Sequence, residues 1–287
     1  MKQLTKEYIQ KRKKRSELIK KSFLYLLLSI LGFTFLLPFV WMLSTSLKEP
    51  GQVFVFPPQW IPNPVVFRNY VEAWNAVPFG RFFINSIIVA VCITTGQVFT
   101  SALAAYSFAR LKFPGRDKLF MGYLATMMIP GQVTMIPVFI IIKKLGWIDT
   151  YYALILPGLF TAYGTFMLRQ FFLTIPKDLE EAAIIDGCSR FGIFWRVVLP
   201  LAKPALATLA TFVFLGSWNE FMWPLIVTNS MEMKTLPVGL ASFQGLYTTD
   251  WTLLMAASMI VLAPVIVIYI FNQRFFTKGI VMTGMKG

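Results

Sequence analysis

Six stretches of this chain are apolar for about 20 residues each, the length of helix that crosses the hydrocarbon core of a bilayer. They run Phe23–Ser44, Ile84–Phe108, Leu119–Ile142, Tyr152–Phe172, Ala205–Val227 and Leu253–Phe271. Hydrocarbon offers no partner to a backbone N–H or C=O, so each segment must satisfy its own hydrogen bonds as a helix. The expected fold class is an all-α polytopic membrane protein with six transmembrane helices. Composition agrees: 56% of the 287 residues are hydrophobic and 28 are Phe, too apolar for an ordinary soluble domain. The first run is too long for the apolar core of a signal peptide and lacks a small-residue cleavage site, so it reads as a retained span.

Orientation follows from the cations. Nine Lys and Arg precede the first span, and Arg110, Lys112, Arg116 and Lys118 follow the second. Arg169, Lys177, Arg190, Arg196 and Lys203 lie around the fourth loop, and Arg274, Lys278 and Lys286 follow the last span. These 21 of 27 cations fall on one side of a six-span chain, against Lys48, Arg68, Arg81, Lys143, Lys144 and Lys234 on the other. The rich side is cytoplasmic by the positive-inside rule, which puts both termini there. The net charge of +14 therefore reports orientation rather than a nucleic-acid ligand. The expected organisation is a basic cytoplasmic N-terminus (1–22), a first span (23–44) and an outer loop with a short amphipathic helix (45–83). A core of five spans (84–276) and a cytoplasmic tail (277–287) follow.

The core contains the longest polar interruption, Pro176 to Pro200. Asp178 and Glu181 have the spacing of a capping box. Leu179, Ala182, Ala183 and Asp186 recur at helical spacing, a face slight enough for close packing against another protein. Gly187 supplies a left-handed exit. Ser189 can cap a second short helix with Phe191, Phe194, Trp195 and Val198 on its apolar side, limited by Pro200.

Glu181-Ala182-Ala183, three spacers, Gly187, nine residues and then Val197-Val198-Leu199-Pro200 resemble the EAA motif of ATP-binding-cassette importer permeases, with Val197 in place of Ile. The resemblance implies a type I importer permease fold. It also implies that this loop is a coupling helix docking on an ATPase subunit through Glu181, Ala182, Ala183, Asp186, Gly187, Leu199 and Pro200. It widens with Trp218-Asn219-Glu220-Phe221-Met222-Trp223-Pro224-Leu225, Thr235-Leu236-Pro237-Val238-Gly239-Leu240 and the ending Gly284-Met285-Lys286-Gly287. These are similar to the second permease of maltose-type and multiple-sugar importers. That group implies a sister permease, two ATPase subunits and an extracellular solute-binding protein, in a bacterial cytoplasmic membrane. It also implies a sugar substrate and a tail, Gly284, Lys286 and Gly287, that reaches the ATPases. No phosphate-loop pattern occurs here, so ATP and Mg are expected in the partner subunits and no cofactor in this chain.

Of the 13 acids only Glu220 lies well inside a span, roughly 22 Å along a helix that starts near Ala205. With Trp218 and Asn219 it offers either a stacking and hydrogen-bonding surface on a sugar path or a structural bond and two interfacial anchors. In the outer loop Phe67, Tyr70, Val71 and Trp74 share one helical face, suited to the membrane interface or to a neighbouring subunit. Pro130 with Gly131, Pro137, Pro157, Pro204, Pro224 and Pro264 predict kinks. A secondary transporter would need ion ligands in the spans and commonly shows inverted repeats, and this chain has one buried acid and no evident repeat. A membrane enzyme would need paired carboxylates, a His cluster or a Cys–His pair; there is no His, and the two cysteines, Cys92 and Cys188, lie in a span and in the polar loop.

Overall fold

Helix α1 runs unbroken from Lys2 to Ser46, about 68 Å at 1.5 Å per residue, so the change from basic to apolar sequence at residue 22 is not a structural boundary. This computed structural model describes the backbone of residues 2–245 and 249–284 and the side chains of residues 17–245 and 249–271. Four helical segments are long and apolar enough to cross a membrane: Glu17–Ser46, Phe79–Arg110, Tyr151–Thr174 and Trp251–Phe271. Two bent pairs, Arg116–Met128 with Gly131–Lys144 at 98° and Arg190–Leu201 with Lys203–Trp218 at 79°, bring the number to six if each pair counts as one span. Among the described residues the only β-pairing is an isolated bridge between Gln244 and Thr249.

After α1 the outer loop carries α2 (Arg68–Ala76). Its buried side is Asn69 and Ala73, not the expected apolar stripe: Asn69 Nδ2 donates to Ser46 O and Lys48 O at 2.9 and 2.8 Å. Tyr70 turns inward, its hydroxyl 2.8 Å from Ser46 Oγ, whereas Phe67, Val71 and Trp74 stay exposed. A buried amide that satisfies two carbonyls holds this short helix more specifically than apolar contact alone. Next comes α3 (Phe79–Arg110), the central helix. It is followed by α4 (Arg116–Ala125), a 3₁₀ turn, and α5 (Gly131–Lys144) after the bend at Pro130. The fourth span is α6 (Tyr151–Ile155), a 3₁₀ turn containing Pro157, and α7 (Ala162–Thr174).

The polar loop Pro176–Pro200 folds as α8 (Asp178–Ile185) and α9 (Arg190–Ile193), then a π-helical turn (Phe194–Val198) and α10 (Leu199–Leu201). The fifth apolar segment is α11 (Lys203–Trp218) and α12 (Met222–Val227), broken at 219–221. Pro204 opens α11 and Pro224 lies in the first turn of α12, positions where the missing N–H costs nothing. Pro137 and Pro264 instead stay inside continuous helices. A short α13 (Leu236–Leu240) precedes α14 (Trp251–Gly284), which passes through Phe271 and the expected tail boundary at 277 without a break.

Small residues let the helices approach. Ala102, Ala105 and Ala109 of α3 meet Leu168 and Phe172 of α7, Ala183 of α8, and Ala205 and Leu209 of α11 in a core beside the polar loop. A Cβ on Gly164 of α7 would come 2.5 Å from Ser101 Oγ of α3, so Gly is required at this crossing. A second core joins Phe79, Phe82 and Ala90 of α3 to Trp218, Leu236, Ala256 and Ala257, and Gly239 admits the Phe82 ring where a side chain would collide.

The polar loop and the cavity between the helices

Helix α8 begins one residue earlier than a capping box requires. Asp178 is already helical, Lys177 holds the N-cap position without a side-chain bond, and the Asp178–Glu181 box is not formed. The three acids Asp178, Glu180 and Glu181 still stabilise the first turn through the helix dipole. Gly187 has φ +80°, the expected left-handed exit, and Ser189 Oγ accepts from Gly192 N at 3.1 Å to cap α9. The expected docking face divides: Ala183 is buried against the chain's own core, as is the neighbouring Glu180, while Leu179, Glu181, Ala182, Asp186 and Gly187 face outward with Ile185, which is 86% exposed. Ala183 is therefore the seat of α8 on the chain's own helical core rather than on an exposed surface. Leu199 is half-buried and Pro200 exposed, in the turn before the 79° bend.

The inner side of α8 is held by Arg110, the last residue of α3. Its Nη2 donates to Phe172 O and Ile175 O, both at 2.6 Å, where it caps the C-terminal end of α7. Its Nε lies 2.7 Å from Glu180 Oε1, an ionic contact without an aligned hydrogen bond, with the two side chains 3% and 7% exposed. Tyr106, one turn back on α3, donates to Arg190 O of α9 at 3.2 Å.

Within the membrane, a cavity of about 780 Å³ is lined by α3 (Ile93, Gln97), the start of α5 (Gln132, Thr134), Tyr163 of α7, and the α11–α12 break (Ser217, Glu220, Trp223). The triplet Trp218-Asn219-Glu220 is split by the break. Trp218 is 1% exposed, stacked on Phe214 and donating its indole N–H to Val261 O at 3.2 Å, so it belongs to the core between α11 and α14. Asn219 is exposed and its side-chain amide bonds back to Leu215 O. Glu220 reaches the cavity wall, but one oxygen accepts from Trp223 N at 3.1 Å, capping α12 across the break. Glu220 carries the sole formal charge in the lining.

Residues 97–281 match the family described as the binding-protein-dependent transport system inner membrane component. The chain belongs to that permease family. Over 273 residues the permease is 36% identical to the probable ABC transporter permease protein YurM of Bacillus subtilis (strain 168), covering 92% of this chain and 87% of that one. It is also 36% identical over 245 residues to the arabinooligosaccharides transport system permease protein AraQ of Halalkalibacterium halodurans, covering 85% and 86%. The same identity holds over 251 residues to the sn-glycerol-3-phosphate transport system permease protein UgpE of Yersinia pestis, covering 85% and 89%. In the crystal structure of a bacterial ABC transporter involved in the import of the acidic polysaccharide alginate, one chain superposes with a TM-score of 0.82 at 26% identity. That match covers 91% of the permease and 98% of that chain. A chain of the same kind of transporter, in complex with an alginate pentasaccharide-bound periplasmic protein, shares the fold at a TM-score of 0.63 and 15% identity. The permease is accordingly a multi-pass inner-membrane transport subunit of the type I importer fold.

Sequence reasoning missed several residues that organise this permease. Arg110 counted only as one more cytoplasmic cation, and Glu180 stood beside the motif without a role. Asn85, fully buried, donates to Glu232 O and Lys234 O and accepts from Tyr151, tying the outer loop before α13 to α3. Asp149, at φ 63°, accepts from Asn229 N and Ser230 N at 2.9 and 3.0 Å. Partial burial opposes its charge, but the bonds from Ser230 and Asn229 prevail and hold its pKa below the ordinary carboxylate value. A polar residue amid apolar sequence was the available signal for Asn85; none distinguished Arg110. The tail residue Gly284 ends α14, and Lys286 and Gly287 lie outside the described residues.

Proposed function

We propose that this permease forms one side of the path for an oligosaccharide in an ATP-driven importer, with a sister permease, two ATPase subunits that bind ATP and Mg, and an extracellular solute-binding protein. Both termini then lie in the cytoplasm, and ATPase closure enters through α8 and α9. The observation that carries this reading is the division of α8: one side is seated on the permease core, and the other presents Leu179, Ala182 and Ile185 to solvent at the cation-rich end. An exposed apolar patch on a two-helix projection is a protein-docking surface.

The cavity supports a sugar. Tyr163 and Trp223 offer aromatic rings to the C–H side of a pyranose or furanose, and Gln97, Gln132 and Thr134 offer hydrogen-bonding groups for hydroxyls. Its lining has no Lys or Arg, so a neutral oligosaccharide, as in the name of the arabinooligosaccharide relative, fits better than an anion such as glycerol 3-phosphate or alginate. Uptake of a panel of labelled sugars by cells lacking only this chain, with and without the gene restored, tests the substrate class. Restored uptake of neutral oligosaccharides is expected; restoration confined to phosphorylated or acidic solutes refutes it. Co-purification of the wild-type chain with the ATPase tests the docking surface, and Ile185→Asp is expected to reduce it.

A further inference from the structure

We infer that Arg110 is the positioning residue through which movement of α8 reaches the second and fourth spans. The inference rests on the reading of α8 and α9 as the ATPase-docking loop. One guanidinium joins three elements: it ends α3, caps the last carbonyls of α7 and contacts the carboxylate of Glu180 on α8. A planar fork with five donors can hold all three at fixed angles, which an ammonium cannot. Water is excluded from the junction, since both charged side chains are nearly buried, so the interaction is little screened. A second strap reinforces the first: Arg169 of α7 donates to Phe108 O of α3 at 3.3 Å.

The covalent route is different in kind. Helix α11 leaves the loop through a 79° bend at Ala202, preceded by a π-helical turn, and a bend at a single residue transmits displacement poorly unless packing fixes its angle. Packing does fix it here, since Ala202 is fully buried with Ala205 and Leu209 in the core of α3 and α7, so the Arg110 junction and this core together carry movement of the loop to α3 and α7, which line the cavity with Gln97 and Tyr163. Residues remote in sequence, joined by a buried ion pair, tie α3 and α7 to the loop alongside the span next in sequence.

The test replaces the pair without leaving a buried charge unpaired: Arg110→Met with Glu180→Leu. The ATPase subunits are expected to co-purify with the variant, while sugar imported per ATP hydrolysed in proteoliposomes falls about tenfold. In Arg110→Cys with Glu180→Cys, a short thiol-reactive bridge is expected to restore that ratio, because it rebuilds the link but not the charges. Should the double variant fail to fold and insert at all, Glu180→Gln, which keeps the shape of the side chain, is read in the same way and is expected to lower the ratio. An unchanged ratio overturns the inference. So does loss of the ATPase subunits, which would make the pair a builder of the docking surface, or a bridged variant that remains uncoupled. The docking reading itself fails on another measurement, absence of ATPase from the purified wild-type complex.

Discussion

At the level of single residues, Gly187 and Ala183 are adjacent in the motif yet answer to different forces. Gly187 is open on all sides but has φ +80°, so the constraint is conformational: a side chain there costs about 1 to 2 kcal/mol and redirects α9. Gly187→Val is expected to abolish sugar-stimulated ATP hydrolysis while the chain still inserts, measured on the reconstituted complex with and without loaded binding protein. Full stimulation would show that the angle between α8 and α9 is immaterial. Ala183 is constrained by volume. It is 8% exposed in the core with Ala105 and Phe172, and overpacking such a site costs about 1 to 3 kcal/mol. Ala183→Trp is expected to lower the unfolding temperature of the purified chain even without ATPase; a loss of ATPase binding at unchanged stability would put the residue on the docking face after all.

Among the elements, the breaks are where chemistry is exposed. Helix α11 ends at Trp218, and the next three residues bring Glu220 to the cavity while burying the Trp218 ring against α14. Losing a buried Trp costs about 3 to 5 kcal/mol, so Trp218→Ala is expected to reduce the amount of folded permease without changing the order of preferred sugars. Tyr163→Ala, on the cavity wall, is expected to do the reverse, shifting relative uptake rates at unchanged expression. The opposite pattern would return Trp218 to the solute path. On the outer side, Asp149 ties the end of α12 to the loop before α6. Its pKa is lowered by folding, so its stabilisation is complete above the ordinary value of 3.8 and is lost as pH falls through the lower folded value. Acid unfolding curves of the wild type and Asp149→Asn are expected to differ at neutral pH and to converge below that value; curves that stay parallel throughout would assign the carboxylate no part.

For the molecule as a whole, a six-span topology with 21 of 27 cations on one side predicts that Lys112 and Lys144 lie on opposite faces of the membrane. In a background of Cys92→Ser and Cys188→Ser, Lys144→Cys is expected to react with an impermeant maleimide on intact spheroplasts, and Lys112→Cys only after the membrane is opened. Labelling of both from outside would break the topology. The apolar stretch of α1 buries none of its most hydrophobic window within the chain, against 17 to 33% for the three other long spans. Its partners are therefore lipid or another subunit, and it adds little to the permease's own core.

The apolar helical character of the chain was legible in the sequence because lipid imposes a one-dimensional rule: each segment must satisfy its backbone locally and be apolar throughout its length. The left-handed turn at Gly187 and the cap at Ser189 were legible for the same reason, since both depend on residues within three or four positions. What joins distant segments was not. Whether Ala183 faces a partner or its own core depends on where α3 and α7 pass. Whether Trp218 faces solute depends on a break at Asn219 that helical periodicity does not reveal. The role of Arg110 exists only because a helix end 62 residues away and a carboxylate 70 residues away converge on one guanidinium. Burial and charge pairing at that distance are properties of the tertiary structure, and it alone decided them.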